Sequence, residues 1–116
     1  MPTTVQNAKA IMAGYGWSCR VTMTATTPPF PAGVELVAHV RAKASSGAVL
    51  APLSTADQTI TRVDDNTIDI SIPGAASAGF KDGSVVLDLV RTDTDPDVYV
   101  GFKLQVPVET PVTRGL

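Results

Sequence analysis

Cysteine, histidine and aromatic residues are scarce in this chain of 116 residues. The single cysteine, Cys19, cannot close an internal disulfide, so no cystine framework holds the fold. One Cys and one His, His39, cannot supply a closed structural zinc site. Charge of one sign is missing too: 9 Lys and Arg stand against 11 Asp and Glu, a formal net charge of -2. That balance excludes the basic surface on which nucleic-acid binding depends. No apolar run approaches the roughly 18 residues of a membrane-spanning helix. The segment Met1 to Ile11 lacks the basic start and long apolar stretch of a secretory leader, and none is expected.

What is present is Val, Thr, Gly and Pro. Nine Gly and nine Pro are scattered along the chain, and charged residues make up only 17% of it. β-branched residues suit a pleated, half-buried surface, and frequent Gly and Pro suit many short strands with many turns. The length is that of one domain, large enough to bury a core without staples.

From Trp17 the hydrophobic period is two. Trp17, Cys19, Val21, Met23 and Ala25 alternate with polar residues, and the prolines of Thr27 to Gly33 end the run. Val34 to Lys43 reads as the next strand, and Val49 to Leu53 as an edge strand because of Pro52. Thr59 to Val63 and Thr67 to Ile72 form a hairpin over Asp64-Asp65-Asn66. Ala75 to Ala78 reads as one helical turn, with Phe80 entering the core after it. Ser84 to Thr92 and Val98 to Val108 form the last hairpin. About seven strands spaced by turn signals predict an all-β antiparallel sandwich or barrel with one short helical turn. Its expected core is Trp17, Val21, Leu36, Val40, Ile68, Ile70, Phe80, Leu87, Leu89, Phe102 and Leu104.

The motifs that carry chemistry are absent or broken. Asp93-Thr94-Asp95-Pro96-Asp97 opens like a calcium loop, but the sixth and twelfth positions, where an EF-hand needs Gly and Glu, are Val98 and Leu104. It reads as a hairpin loop. Gly74 to Gly79 has the wrong spacing for a nucleophile elbow, and His39 lies mid-strand with no partner in view. Cys19 shares the apolar side of its strand and reads as a small hydrophobe. No catalytic, cofactor or metal residue is assigned, and the chain is expected not to be an enzyme.

The ends read as contact segments. Residues 1–16 are expected to be an N-terminal arm, residues 17–108 the β domain and residues 109–116 a tail. Val5, Ala8, Ile11 and Met12 fall at helix-like spacing. Val5, Ile11 and Met12 would be apolar side chains wasted on a free monomer. Tyr15 and Tyr99 are candidate exposed aromatics, and Pro111 suits an extended tail laid over a partner. These six residues are the expected partner contacts. Removing Met1 to Ala13 is expected to leave a folded domain. Val98 to Val108, with Lys103 as its only charge, is expected to be either central or an edge covered by another subunit.

The order of segments resembles small structural proteins of tailed bacteriophages, and is similar to the N-terminal domain of upper baseplate proteins. The resemblance runs from about Trp17 to Arg114. It rests on Trp17-Ser18-Cys19-Arg20-Val21-Thr22, on Leu36 to Lys43, and on the Ile60 to Ile72 hairpin. The turn at Pro73 to Phe80, Val86 to Asp93 and the closing Pro111 to Arg114 complete it. It implies an immunoglobulin-like sandwich and a non-enzymatic virion structural role. The partners implied are other phage structural proteins, with many copies or a homo-oligomer on the particle. A tail or baseplate adaptor is the first expectation and capsid decoration the second. A free-standing carbohydrate- or surface-binding module is the alternative outside that class, and the 5% aromatic content counts against it.

Overall fold

The computed structural model describes residues 3–6 and 8–114. Among the described residues, nine strands and one helical turn follow one another: β1 (Thr3–Gln6), β2 (Ile11–Met12), β3 (Trp17–Met23), β4 (Leu36–Arg41), β5 (Ala51–Ser54), β6 (Ile60–Asp64), β7 (Thr67–Ile72), α1 (Gly74–Ser77), β8 (Gly83–Arg91) and β9 (Val98–Glu109). They form two sheets, in the orders β1-β3-β7-β6 and β2-β9-β8-β4-β5. Every pairing is antiparallel except β2 with β9. In immunoglobulin lettering the first sheet is A-B-E-D and the second G-F-C-C′, with β2 added beside G. The protein is an immunoglobulin-like β-sandwich, as the strand pattern and the resemblance led one to expect.

Period-two alternation does the folding. On β3, Trp17, Cys19, Val21 and Met23 are buried, while Ser18 and Arg20 face solvent. Trp17, Cys19 and Val21 pair with Ile72, Ile70 and Ile68 of β7. Leu36, Ala38 and Val40 of β4, Val85, Leu87 and Leu89 of β8, and Val100, Phe102, Val106 and Val108 of β9 supply the other half of the core. Antibody domains pin their sheets with a disulfide between strands B and F. Here Cys19 stands on the B strand and the F strand carries aliphatic residues only on its inner side, so apolar packing takes the place of that disulfide. Ten of the eleven expected core residues are buried; Leu104 is half-buried against the core. Phe30, in the proline-rich connection, is fully buried and was not expected there.

The N-terminal segment differs from the expected arm. Thr3–Gln6 pair with β3 in register Thr3 with Met23 through Gln6 with Arg20. Ile11 and Met12 pair with Val108 and Glu109 on the opposite sheet. The chain therefore starts on one sheet, crosses to the other and returns at Trp17. Ile11 is fully buried. The helix-like spacing was misleading because Ile11 and Met12 are neighbours pointing to opposite sides of a strand.

The return is held by α1. The Ser77 hydroxyl, fully buried, accepts from the Gly14 N–H at 3.0 Å and donates to the Tyr15 carbonyl at 3.1 Å. Gly74 makes this approach possible, since a Cβ there would stand 2.7 Å from the Gly14 carbonyl oxygen. Strand β9 lies next to the edge, because β2 covers only Val108 and Glu109. The rest of its free side is guarded. Between the pairs Asp88–Lys103 and Val90–Tyr99, one β8 residue faces Val100, Gly101 and Phe102. Gly101 takes φ +82°, which suits glycine, and this bulge, Lys103 and Pro107 interrupt the edge.

Because the first strands belong to the sandwich, removing residues 1–13 will destabilise it. Ile11→Ala alone removes fully buried methyl groups, a loss of about 2–5 kcal/mol and a fall in Tm of roughly 10 °C or more. Thermal unfolding followed by circular dichroism checks both. A Tm within about 2 °C of wild type for Ile11→Ala would contradict the burial.

Candidate docking groove

The crossing segment and the tail frame an open groove of about 770 Å³. Met12 reaches it because Ile11, its neighbour, points into the core. The Ala13 N–H donates to the Glu109 carbonyl at 3.0 Å, which ties the segment beyond β2 to the end of β9. The Tyr15 N–H donates to the Met12 carbonyl and closes a turn. The Tyr15 hydroxyl then crosses to the tail and donates to the Thr113 carbonyl at 2.6 Å. Trp17 lies at the base, its Nε1–H donating to the Lys9 carbonyl at 2.6 Å. The tail is folded on itself, with the Arg114 guanidinium donating to the Pro111 carbonyl at 2.7 Å. Both walls are thus fixed by hydrogen bonds between segments far apart in the chain.

Three of the six expected contact residues, Met12, Tyr15 and Pro111, line this groove. Pro111 is buried and forms part of its wall. Ile11 is a core residue beneath it and cannot be a contact, because its side chain is fully occupied within the chain. Val5 is half-buried against the core from β1, in the other sheet. Tyr99 is 56% exposed at the start of β9, away from the groove. Residue-by-residue reading missed Val112, 94% exposed, and Lys9, both of which line the groove. The available signal for Val112 was an apolar residue between Pro111 and Thr113 in a polar tail.

The other singled-out groups lie away from the groove. Burial raises the Cys19 thiol to about 11, and the charge of Asp69 adds to the rise. The Arg20 guanidinium, 2.8 Å from Asp69, holds that carboxyl below its ordinary range. His39 is exposed on β4, with Nδ1 3.3 Å from the Arg41 guanidinium. In the loop between β8 and β9, the Arg91 guanidinium donates to Asp93 and lowers its carboxyl to about 2. Asp95 and Asp97 are exposed beyond it, and no ion pair holds them among the described residues. No group of three or more His, Cys, Asp or Glu side chains among the described residues is arranged to hold a metal ion.

Neither a scan of protein-family models nor a search of the curated proteins finds a match to this chain.

Two measurements follow from the ionisable groups. With its pKa near 11, Cys19 stays a thiol at neutral pH, so a thiol reagent will label it only on unfolding. Rapid stoichiometric labelling of the folded protein would contradict its burial. The Asp93 pKa is depressed from an unfolded value of about 3.9. Its contribution to stability is therefore complete above that value and is lost as the pH falls through about 2. In Arg91→Gln the Asp93 carboxyl will titrate higher by NMR, toward the ordinary aspartate value, with the remaining backbone hydrogen bonds still lowering it; a value still near 2 would remove the guanidinium as the cause.

Proposed function

We propose that this chain is a non-enzymatic structural protein of a bacteriophage particle, a small sandwich module that assembles by docking as an adaptor of the tail or baseplate. The observation that carries the docking is the groove. Met12, Tyr15 and Val112 stay exposed side by side on a frame held by hydrogen bonds. Contiguous apolar surface on a fixed frame is the usual mark of a protein contact. The resemblance between Trp17 and Arg114 supplies the particle. Its partners are then other virion proteins, present in many copies. The non-enzymatic part is supported by the surroundings of His39, whose ring faces a guanidinium, whereas an oriented general base has a carboxylate or carbonyl there.

The test is particle occupancy. Met12→Ser/Val112→Asp changes two exposed groove residues, leaves the Tyr15–Thr113 bond in place, and will fold with a near-normal Tm while incorporating into particles at least about tenfold less well. His39→Ala will leave incorporation and infectivity within a few-fold of wild type. Normal occupancy of the groove variant, or a complete loss of infectivity in folded His39→Ala, would overturn the reading. Labelling of intact particles at the tail supports the adaptor; label spread over the capsid surface would replace it with decoration.

A further inference from the structure

The exposed surface has a second candidate contact, and its charge is opposite to that of the groove. It is the tip of the β8–β9 hairpin, where Asp95 and Asp97 precede Val98 and Tyr99, 46% and 56% exposed on opposite sides of the strand. The groove presents Met12, Tyr15 and Val112 beside Lys9, the only charged lining residue among the described residues, and Arg114 follows the lining residue Thr113. Neither cation is in an ion pair among the described residues. Glu109 pairs with Met12 along the strands but does not line the groove. One is a hairpin tip with two acids next to exposed apolar side chains, and the other is concave with apolar side chains and Lys9, Arg114 standing just outside the lining. We propose that the groove takes the β8–β9 tip of a second copy of this chain, so that copies associate head to tail. The inference rests on reading the groove as a docking surface.

The placement of the two patches sets the form of the assembly. The tip precedes the first residue of β9, and the groove adjoins its last residue, since Met12 pairs with Glu109. A strand of 12 residues separates its ends by up to roughly 35 Å at about 3.3 Å per residue. The long axis of the molecule is 44 Å. The two patches therefore cannot meet within one copy. A contact between unlike surfaces leaves one free tip and one free groove on every assembly, so growth continues until a ring closes or a filament forms. Opposite charge steers the encounter and sets its register, and the apolar residues are desolvated in the contact.

Sedimentation over a range of protein concentration, at low and at high salt, tests this. The wild-type chain will grow past dimer at low salt and return toward monomer at high salt. The tip variant Asp95→Ser/Asp97→Ser and the groove variant Lys9→Glu/Val112→Glu alter exposed residues only and leave the altered tip without attraction for the altered groove, and their melting checks the fold. Each alone will associate at least about tenfold more weakly. Mixed in equal amounts they still hold one intact tip and one intact groove between them. The mixture will therefore form a heterodimer and stop there. A wild-type chain that stays monomeric throughout, a mixture no more associated than either variant, or a dimer that survives in both variants would each overturn the inference. If the wild type is monomeric yet Lys9→Glu/Val112→Glu still loses particle occupancy, head-to-tail association falls and docking through the groove stands.

Discussion

The buried Ser77 hydroxyl, held between the Gly14 N–H and the Tyr15 carbonyl, is the contact on which the architecture of this end of the molecule depends. It fixes the point where the chain, having left β1 on one sheet and β2 on the other, turns back into β3. A polar group this deep is costly unless satisfied, and here both its donor and its acceptor capacity are used. Gly74 is the steric counterpart, because any side chain there would meet the Gly14 carbonyl. A four-residue helical turn between β7 and β8 thereby sets the path of residues some sixty positions earlier.

The groove follows from that path. With the crossing segment fixed, Ile11 is forced inward and Met12 outward, and the Tyr15 ring is left on the surface, where its hydroxyl catches the tail. The tail in turn holds Val112 in the open. Leaving these apolar groups in water forgoes the stability that their burial would bring. A sandwich that meets its stability needs from two aliphatic inner faces can carry that cost, and a docking surface gives it a use. The same logic applies to the β9 edge, where the bulge at Gly101, Lys103 and Pro107 discourages strand addition and leaves the ends of β9, rather than its side, free for contacts.

Six of the seven strands from Trp17 onward were legible because each buries one face and so alternates, as on β3, where every second residue from Trp17 to Met23 is buried. β6, with only Ile60 buried, was legible instead through the turn residues Asp64-Asp65-Asn66 that follow it. Pro52 marked an edge and Gly79 the end of the helical turn for local steric reasons. β1 was not legible: Thr3 to Gln6 has a single partly buried residue, Val5, so no period exists to be read. β2 has two residues and a parallel partner nearly a hundred positions away, which no local pattern encodes. Of the groove, Met12 and Tyr15 were readable as apolar groups without an obvious place in the core. Their meeting with Val112 was not, because it depends on a hydrogen bond spanning 98 positions from Tyr15 to Thr113. Phe30 was hidden among prolines that signal a loop and say nothing of what the loop buries.

That the first strands are integral to the sandwich, and so build the groove, is tested most directly by native-state hydrogen exchange. The Ala13 amide, bonded to the Glu109 carbonyl, and the Gly14 amide, bonded to Ser77, are the reporters. If the segment is locked in place, both will exchange within about an order of magnitude of core amides on β3 and β7 and will slow together as the whole domain is stabilised. Exchange of both at the rate of an unstructured chain, with the β3 and β7 amides fully protected, would contradict the account.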